Sequence, residues 1–279
     1  MTASPAKAVT VPRANVLGVG VHAISMSTAV PMLCTAVAER RKGYVCVAGV
    51  HGVMEAQRHP DLLSIFGNAL LVVPDGTPTV WMGRLQGHRQ MRRIFGPDLM
   101  LALISQLEGN GYSHFLYGGD YGVAEHLRRL LADKFPGANI VGTYTPPFRP
   151  LTKAEESEFI NLINRCRPDV IWVGLSTPKQ ERFMAELSPR LHTTLMIGVG
   201  AAFDYHTGRL KDSPAWIKCC GLQWLHRLTQ EPTRLWKRYL FNNPPFLAKA
   251  VLQIAGLKRY RLNEPQGCGS VASTGVTAA

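Results

Sequence analysis

Short apolar runs alternate along most of the chain with longer segments in which apolar residues recur every three or four positions. The short runs predict strands at Ala14–Val21, Tyr44–Ala48, Leu70–Val73, His114–Tyr117, Asn139–Val141, Val170–Gly174 and Thr194–Val199. The periodic segments predict helices at Met26–Arg41, Val53–Phe66, Pro97–Glu108, Gly122–Lys134, Lys153–Cys166 and Pro178–Leu187. Apolar strands separated by amphipathic helices are typical of a mostly parallel sheet covered on both faces. We therefore predict an α/β, Rossmann-like fold.

The pattern changes after Asp204. Three tryptophans, Trp216, Trp224 and Trp236, are interspersed there with leucines and basic residues. Such a segment is typical of a membrane interface, although a helical hairpin packed on the main domain would have the same composition. We predict a catalytic domain over residues 14–207 and a basic helical appendage over 208–262. The two ends, 1–13 and 263–279, are predicted to be disordered because they are rich in small and polar residues.

The net charge of +12 is concentrated in the appendage. Residues 208–261 contain eleven Lys or Arg against only Asp212 and Glu231, which is +9 of the total. A segment with this charge attracts an anionic partner such as lipid head groups, phosphates or nucleic acid.

Two features bear on the cellular compartment. The six cysteines have no CxxC spacing, and the adjacent Cys219 and Cys220 are a poor disulfide pair. This usage indicates reduced thiols in the cytoplasm and no metal site. The uncharged stretch from Val16 is interrupted by His22 and Pro31, which favours a strand and a buried helix over a transmembrane span or a signal peptide.

Ligands of such folds bind beyond the carboxyl ends of the strands, so the loops there hold the candidate site residues. Asp75 follows the strand Leu70–Val73 in the sequence Pro-Asp-Gly-Thr, with Thr77 beside it. An acidic residue held on such a loop is a candidate general base, and a turn or helix N-cap aspartate is the alternative. Gly118 and Gly119 open a helix after the next strand, where backbone N–H groups meet phosphates in other proteins. A plain strand-to-helix turn explains these glycines equally well.

Two further loops carry polar residues. Lys179 and Gln180 lie in the first turn of a predicted helix, within reach of a diphosphate or a sugar hydroxyl. Asp204 ends the small-residue loop after Thr194–Val199. No DxD sequence occurs in the chain, so we expect Arg, Lys and helix N-termini, rather than a carboxylate-held metal, to neutralise a diphosphate.

These motifs together resemble the WecG/TagA/CpsF family of bacterial glycosyltransferases (glycosyltransferase family 26). The resemblance runs from about Val16 to about Tyr239. The motifs that carry it are VVPDG (Val72–Gly76), RRIFGPDLM (Arg92–Met100), FLYGG (Phe115–Gly119), VGLSTPKQE (Val173–Glu181), GVGAAFD (Gly198–Asp204) and GLQWLHRLTQEPTRLWKRYL (Gly221–Leu240).

The resemblance implies transfer of a hexose or N-acetylhexosamine-type sugar from a UDP-sugar to an undecaprenyl-diphosphate-linked saccharide, with inversion and without a metal or other cofactor. It implies that Asp75 is the base and that Gln180 and Arg93 lie near the donor. It also implies an appendage that closes over the site at the membrane. The appendage's basic positions in this chain are Arg227, Arg234, Lys237 and Arg238.

The sequence departs from the family pattern after the second strand. The family commonly has a Thr-Pro-Asn-type motif there, whereas this chain reads Ala48-Gly49-Val50-His51-Gly52. His51 is therefore a candidate donor-binding residue in place of the missing polar group, and an exposed loop histidine is the alternative. The sugar transferred is left open.

The interpretation is thus a peripheral enzyme on the inner face of the cytoplasmic membrane. Its expected partners are a UDP-sugar, a polyprenyl-diphosphate-linked saccharide and the membrane surface, and not nucleic acid. A nicotinamide-dependent oxidoreductase would share the fold class, but GxGxxG is absent after the first strand. A non-catalytic lipid- or nucleic-acid-binding module is the third reading. The oligomeric state is left open.

Overall fold

The computed structural model describes residues 11–263, except the side chains of Ala215 and Cys219. The predicted disordered ends therefore fall outside the described residues, apart from 11–13 and 263. At those inner limits the chain is ordered: Arg13 begins a strand, and the backbone N–H of Asn263 donates to the carbonyl of Gly18.

Six parallel strands form the central sheet, in the order β4-β3-β8-β7-β5-β6, and two more strands form a separate hairpin. The strands are β1 (Arg13–Val16), β2 (Val19–His22), β3 (Gly43–Ala48), β4 (Leu71–Pro74), β5 (Ser113–Gly118), β6 (Asn139–Tyr144), β7 (Val170–Gly174) and β8 (Leu195–Gly198). The predicted α/β class with a parallel sheet is confirmed.

The helices lie on both faces of this sheet and in the appendage. They are α1 (Met26–Ala38), α2 (Val50–Arg58), α3 (Pro60–Asn68), α4 (Thr77–Leu85), α5 (Gly96–Leu107), α6 (Val123–Lys134), α7 (Lys153–Cys166), α8 (Lys179–Leu187), α9 (Ala202–His206), α10 (Ala215–Cys219), α11 (Gln223–Gln230) and α12 (Pro232–Ile254). Thr152 and Glu155 form a capping box at the start of α7. Within the described residues, no helix is both long enough and apolar enough to span a bilayer.

The continuous apolar character of the strands follows from burial on both faces. In β7, Ile171 and Val173 pack into one hydrophobic layer, whereas Val170 and Trp172 pack into the other. The first layer includes residues of the β1–β2 hairpin, α2, α3, α7 and α8, and the second includes residues of α1, α5 and α6. Because both layers are apolar, we look for the polar site residues in the loops at the ends of the strands.

Three sequence predictions need correction. The segment Ala14–Val21 is the antiparallel hairpin β1–β2 outside the main sheet, because Leu17 and Gly18 take positive φ values of 52° and 91° and reverse the chain. The single helix predicted over Val53–Phe66 is two helices, since His59 precedes Pro60 and takes an extended conformation. Helix α4, which directly follows the Asp75 loop, was not predicted.

Candidate active site

The carboxyl ends of the strands place the predicted loops side by side. Strands β4, β3, β8 and β7 are consecutive in the sheet, so the segments after them meet along its carboxyl-terminal edge, where the parallel strands end. These segments carry Asp75, His51, Asp204 and Gln180, respectively. The appendage contacts the same edge, because a side chain at Gly221 would lie 3.1 Å from the Thr77 hydroxyl.

Asp75 is held in a defined orientation at the end of β4. Its Oδ1 accepts a hydrogen bond from Arg93 Nε at 3.1 Å, and its side chain is 30% exposed. Its Oδ2 faces the end of β3, where a Cβ added to Gly49 would lie 4.0 Å away. Arg93 is itself fixed over the Phe95 ring, with Cζ 4.7 Å from the ring centroid. One carboxylate oxygen is thus used for orientation, and the described residues provide no hydrogen bond to the other.

The local backbone explains why this aspartate is not a helix cap. Gly76 is the N-cap of α4, with φ 86°, and no side chain caps that helix. The Thr79 hydroxyl donates to the Asp75 carbonyl at 2.9 Å, and the Asp75 N–H donates to Ala48 at 3.0 Å. The backbone is therefore tied down while the carboxylate stays available. Thr77 begins α4 against Gly221, so it contacts the appendage.

His51 lies in the first turn of α2 and not in an exposed loop. Its Nδ1 accepts from the Asn242 amide at 3.2 Å, and its Nε2–H donates to the Thr177 carbonyl at 3.3 Å. Its side chain is only 18% exposed. Burial, and after it the positive charge of Arg238, lower the pKa of His51 to about 4. The imidazole is therefore neutral at physiological pH and joins α2, the loop before α8, and α12.

Gln180 is buried at the base of the loop after β7. Its Oε1 accepts from the Gly200 N–H at 3.1 Å, and its Nε2 donates to Glu181 Oε1 at 3.0 Å. Both ends of the amide thus have protein partners, so Gln180 links the loops after β7 and β8. The neighbouring Lys179 side chain is exposed and has no ion pair with any described residue. It is free to reach a ligand.

Gly118 and Gly119 are required by close backbone packing. Gly118 has φ 121°, and an added Cβ would lie 2.5 Å from the Gly174 carbonyl oxygen. The Gly119 N–H donates to the same carbonyl at 3.1 Å, so it is not available to a phosphate. The structure supports the strand-to-helix turn for this pair.

Asp204 lies on α9 after β8, which is two strands from β4 and its Asp75 loop. Its Oδ1 is 3.7 Å from Arg209 Nε, and Arg209 also pairs with Asp120 at 2.9 Å. Burial raises the pKa of Asp204, although nearby arginines oppose the shift. The carboxylate is half-buried, and Arg209 is its ion-pair partner.

Two appendage arginines face inwards over this edge. Arg227 donates to the Tyr205 hydroxyl at 3.3 Å and pairs with Glu231 at 3.0 Å. Arg238 is half-buried and makes no side-chain hydrogen bond to a described residue, and its Nε is shielded from solvent without a partner. Burial lowers the pKa of Arg238, and the positive charge of Arg227 contributes. Two neighbouring cations of this kind are a candidate site for an anion.

The other two predicted cations face outwards. Arg234 is 57% exposed and pairs with Glu231 at 2.7 Å. Lys237 is exposed, with its Nζ 5.5 Å from the Trp236 ring centroid. The four basic positions are therefore divided into an inward pair and an outward pair, which the sequence alone did not distinguish.

Sequence reasoning missed four polar residues of this region. Tyr205 and Tyr239 are near enough to Asp75 for its charge to contribute to the raised pKa of both tyrosines, which burial dominates. Glu181 is fully buried beside Gln180, and Asn242 contacts His51. The only available signal was position: Glu181 and Tyr239 lie inside the motifs that carry the family resemblance.

Two further features, groups of metal-ligating residues and a cavity, were sought outside this site. No three His, Cys, Asp or Glu side chains among the described residues are grouped so that they could hold a metal ion. A cavity of about 320 Å³ lies at the opposite, amino-terminal edge of the sheet. It is lined by Arg40, Lys42, Arg167, Pro168, Asp169, Leu191, His192, Thr193 and Thr194, none of which was predicted to belong to the site.

Comparison with known proteins decides the family. The model of the glycosyl transferase WecG/TagA/CpsF family matches residues 14–260. The chain belongs to this family. It is accordingly a glycosyltransferase, as the sequence motifs predicted, and neither an oxidoreductase nor a non-catalytic binding module.

Two relatives carry the name N-acetylglucosaminyldiphosphoundecaprenol N-acetyl-beta-D-mannosaminyltransferase. The protein of Bacillus subtilis (strain 168) is 29% identical over 180 residues, which cover 64% of this chain and 68% of the relative. The protein of Bacillus spizizenii is 28% identical over 217 residues, which cover 77% of this chain and 82% of the relative. As their name states, these relatives transfer N-acetylmannosamine to a diphosphoundecaprenol-linked sugar.

Proposed function

We propose that this glycosyltransferase moves a hexose or N-acetylhexosamine-type sugar from a UDP-sugar to an undecaprenyl-diphosphate-linked saccharide, with inversion and without a metal. The strongest support is that two features lie at the same end of the sheet. One is Asp75, oriented by Arg93, and the other is the inward pair of appendage arginines, Arg227 and Arg238. A base and an anion site on one edge of the sheet are what a single displacement of a diphosphate requires.

In the proposed step, Asp75 accepts the proton of the acceptor hydroxyl. The hydroxyl oxygen attacks the anomeric carbon as the bond from that carbon to the diphosphate oxygen breaks, and UDP leaves. One displacement of this kind inverts the configuration. Asp75 Oδ1 is held by Arg93, so Oδ2 beside Gly49 is the oxygen that we assign to the proton transfer.

The departing diphosphate is neutralised by the appendage. The Arg238 side chain makes no hydrogen bond to a described residue, and the Arg227 side chain bonds only Tyr205 and Glu231 among them. Charge-assisted hydrogen bonds from arginine to phosphate are strong and bidentate. A UDP leaving group would therefore be bound without a metal ion, which agrees with the absence of a DxD sequence.

The remaining predicted donor residues are assigned by position. Lys179 is exposed at the start of α8 and is proposed to contact the diphosphate. Asp204 is proposed to accept a hydrogen bond from the nucleoside, since it follows β8, two strands from the Asp75 loop. His51 is neutral, and both its ring nitrogens have protein partners, so it is proposed to shape the sugar pocket rather than bind the sugar directly.

We further propose that the appendage attaches the enzyme to the inner face of the cytoplasmic membrane. On α12, Leu235 and Phe246 are buried against the protein, whereas an opposite stripe of apolar residues remains exposed. The stripe consists of Trp236, Leu240, Leu247, Val251 and Ile254. With the outward Arg234 and Lys237 beside it, this face has the composition of an interfacial helix.

The test is UDP release from a panel of UDP-sugars, with and without a synthetic undecaprenyl-diphosphate-linked N-acetylglucosamine, in the presence of a chelator. The panel includes UDP-N-acetylmannosamine because of the named relatives. We expect acceptor-dependent release of UDP from one of the donors. Product analysis by NMR would then show the inverted anomeric configuration. Release that requires a divalent metal would contradict the metal-free mechanism.

A further inference from the structure

Glu181 is a charged residue in an unusual position. It lies in the first turn of α8 and is fully buried. Its Oε1 accepts from the Thr177 hydroxyl and from Gln180 Nε2, both at 3.0 Å. Its Oε2 is buried with no partner among the described residues. A buried carboxylate is costly unless a compensating group stabilises it, so this residue calls for a physical explanation.

Hydrogen bonds lead from this carboxylate to the appendage. The Thr177 residue that donates to Glu181 accepts from His51 through its carbonyl. His51 accepts from Asn242, and the Asn242 amide also donates to the Arg238 carbonyl at 2.6 Å. The path joins α8, α2 and α12, and it ends at the main-chain carbonyl of Arg238, the arginine whose side chain faces the proposed diphosphate position.

The charges of the two ends are complementary. The negative charge of Glu181 opposes the fall in the pKa of Arg238 that burial causes, and Arg238 in turn opposes the rise in the pKa of Glu181. The Arg238 side chain otherwise has Arg227 and Arg234 as charged neighbours, which repel it. Glu181 is thus an acidic group that favours the inward position of Arg238 before any anion binds.

We propose that Glu181 is a positioning residue that seats Arg238 over the donor loop, through the Thr177–His51–Asn242 hydrogen bonds and through its own charge. Closure of the appendage and the shape of the loop after β7 are then set together. The role rests on the proposed function, since Arg238 is taken to bind the diphosphate. Glu181 itself touches neither substrate in this scheme.

The test is amide hydrogen exchange of residues 232–254 in the unliganded full-length protein, with Glu181→Gln, Arg238→Gln and the double variant. We expect Glu181→Gln to speed exchange in this helix about fivefold, because Arg238 loses its counter-charge. The double variant should exchange no faster than the single ones, because neither buried charge remains unpaired. Arg238→Lys keeps the charge and should stay close to wild type.

The control is Glu186→Gln, the same change at an exposed position of α8. It should leave exchange within about twofold of wild type, as isolated surface changes usually do. If Glu181→Gln does not fold, Thr177→Val removes one of the hydrogen bonds while keeping the side-chain shape, and the same helix should open. Unchanged exchange in both variants, or additive effects in the double variant, would overturn the proposal. No sugar donor is used, so this result is independent of whether the proposed transfer reaction occurs.

Discussion

The buried His51 makes the docking of the appendage sensitive to acid. In the folded protein its pKa is lowered to about 4, chiefly by burial, whereas an unfolded histidine titrates near 6.5. Between these values the unfolded chain binds a proton that the folded protein does not, so stability falls as pH falls through this window. Above about pH 6.5 the contribution is fully retained.

The magnitude follows from the two pKa values. At pH 5 the unfolded histidine is almost fully protonated and the folded one is almost fully neutral, which costs about 2 kcal/mol relative to pH 7.5. Burial also lowers the pKa of His22 and of His114 to about 4. The free energy of unfolding of the whole protein should therefore fall by several times this amount between pH 7.5 and pH 5. The His51 share is isolated by comparing wild type with His51→Gln, which keeps a hydrogen-bonding side chain.

The assay is urea unfolding at pH 7.5 and pH 5 for wild type, His51→Gln and His126→Gln. His126 is an exposed histidine on α6 and serves as the matched control. We expect the stability difference between the two pH values to shrink by about 2 kcal/mol in His51→Gln and to stay unchanged in His126→Gln. An equal pH dependence in wild type and His51→Gln would refute the burial of a neutral imidazole between Thr177 and Asn242.

Three other predictions follow from the same geometry. Gly118→Ala should lower the free energy of unfolding by at least about 2 kcal/mol in urea titrations, because the new Cβ meets the Gly174 carbonyl at a positive φ; an unchanged midpoint would contradict the packing. Arg227→Gln should weaken UDP binding about tenfold by calorimetry, whereas the exposed Arg234→Gln should change it about twofold or less; equal losses would remove the distinction between inward and outward cations. Replacing Trp236 by Ser should reduce co-sedimentation with anionic liposomes, and the 89% exposed Phe148→Ser should not; no difference between them would argue against the α12 face as the membrane contact.

Much of the fold could be predicted because its signals are local. Apolar strands buried on both faces and periodic helices define a parallel sheet, and the sheet in turn brings the strand-end loops together. The break before Pro60 was not predicted, although the residue before a proline is biased away from the helical conformation. The hairpin at Leu17 and Gly18 was not predicted either, because a continuous apolar run does not show where positive φ values reverse the chain.

The site was predictable only in part, for physical reasons that differ between residues. Asp75 stood out in the sequence because it is an acidic residue directly after an apolar strand, between Pro74 and Gly76. The structure leaves one of its carboxylate oxygens without a hydrogen bond to the described residues. Gly118 suggested phosphate binding, but its conformation serves strand packing. Glu181 was missed because a charged residue on an amphipathic helix normally faces solvent, and only the tertiary packing shows its burial. The inward and outward arginines were inseparable for the same reason.

The most direct test of the account is the activity of Asp75→Asn. The asparagine keeps an oxygen that can accept from Arg93, so the loop and donor binding should be preserved while the proton acceptor is lost. We expect the rate of acceptor-dependent UDP release to fall by about two to four orders of magnitude, with UDP affinity within about threefold of wild type. Asp133→Asn, at an exposed position of α6, should keep full activity. An Asp75→Asn enzyme that retained nearly full turnover would contradict the assignment of Asp75 as the base.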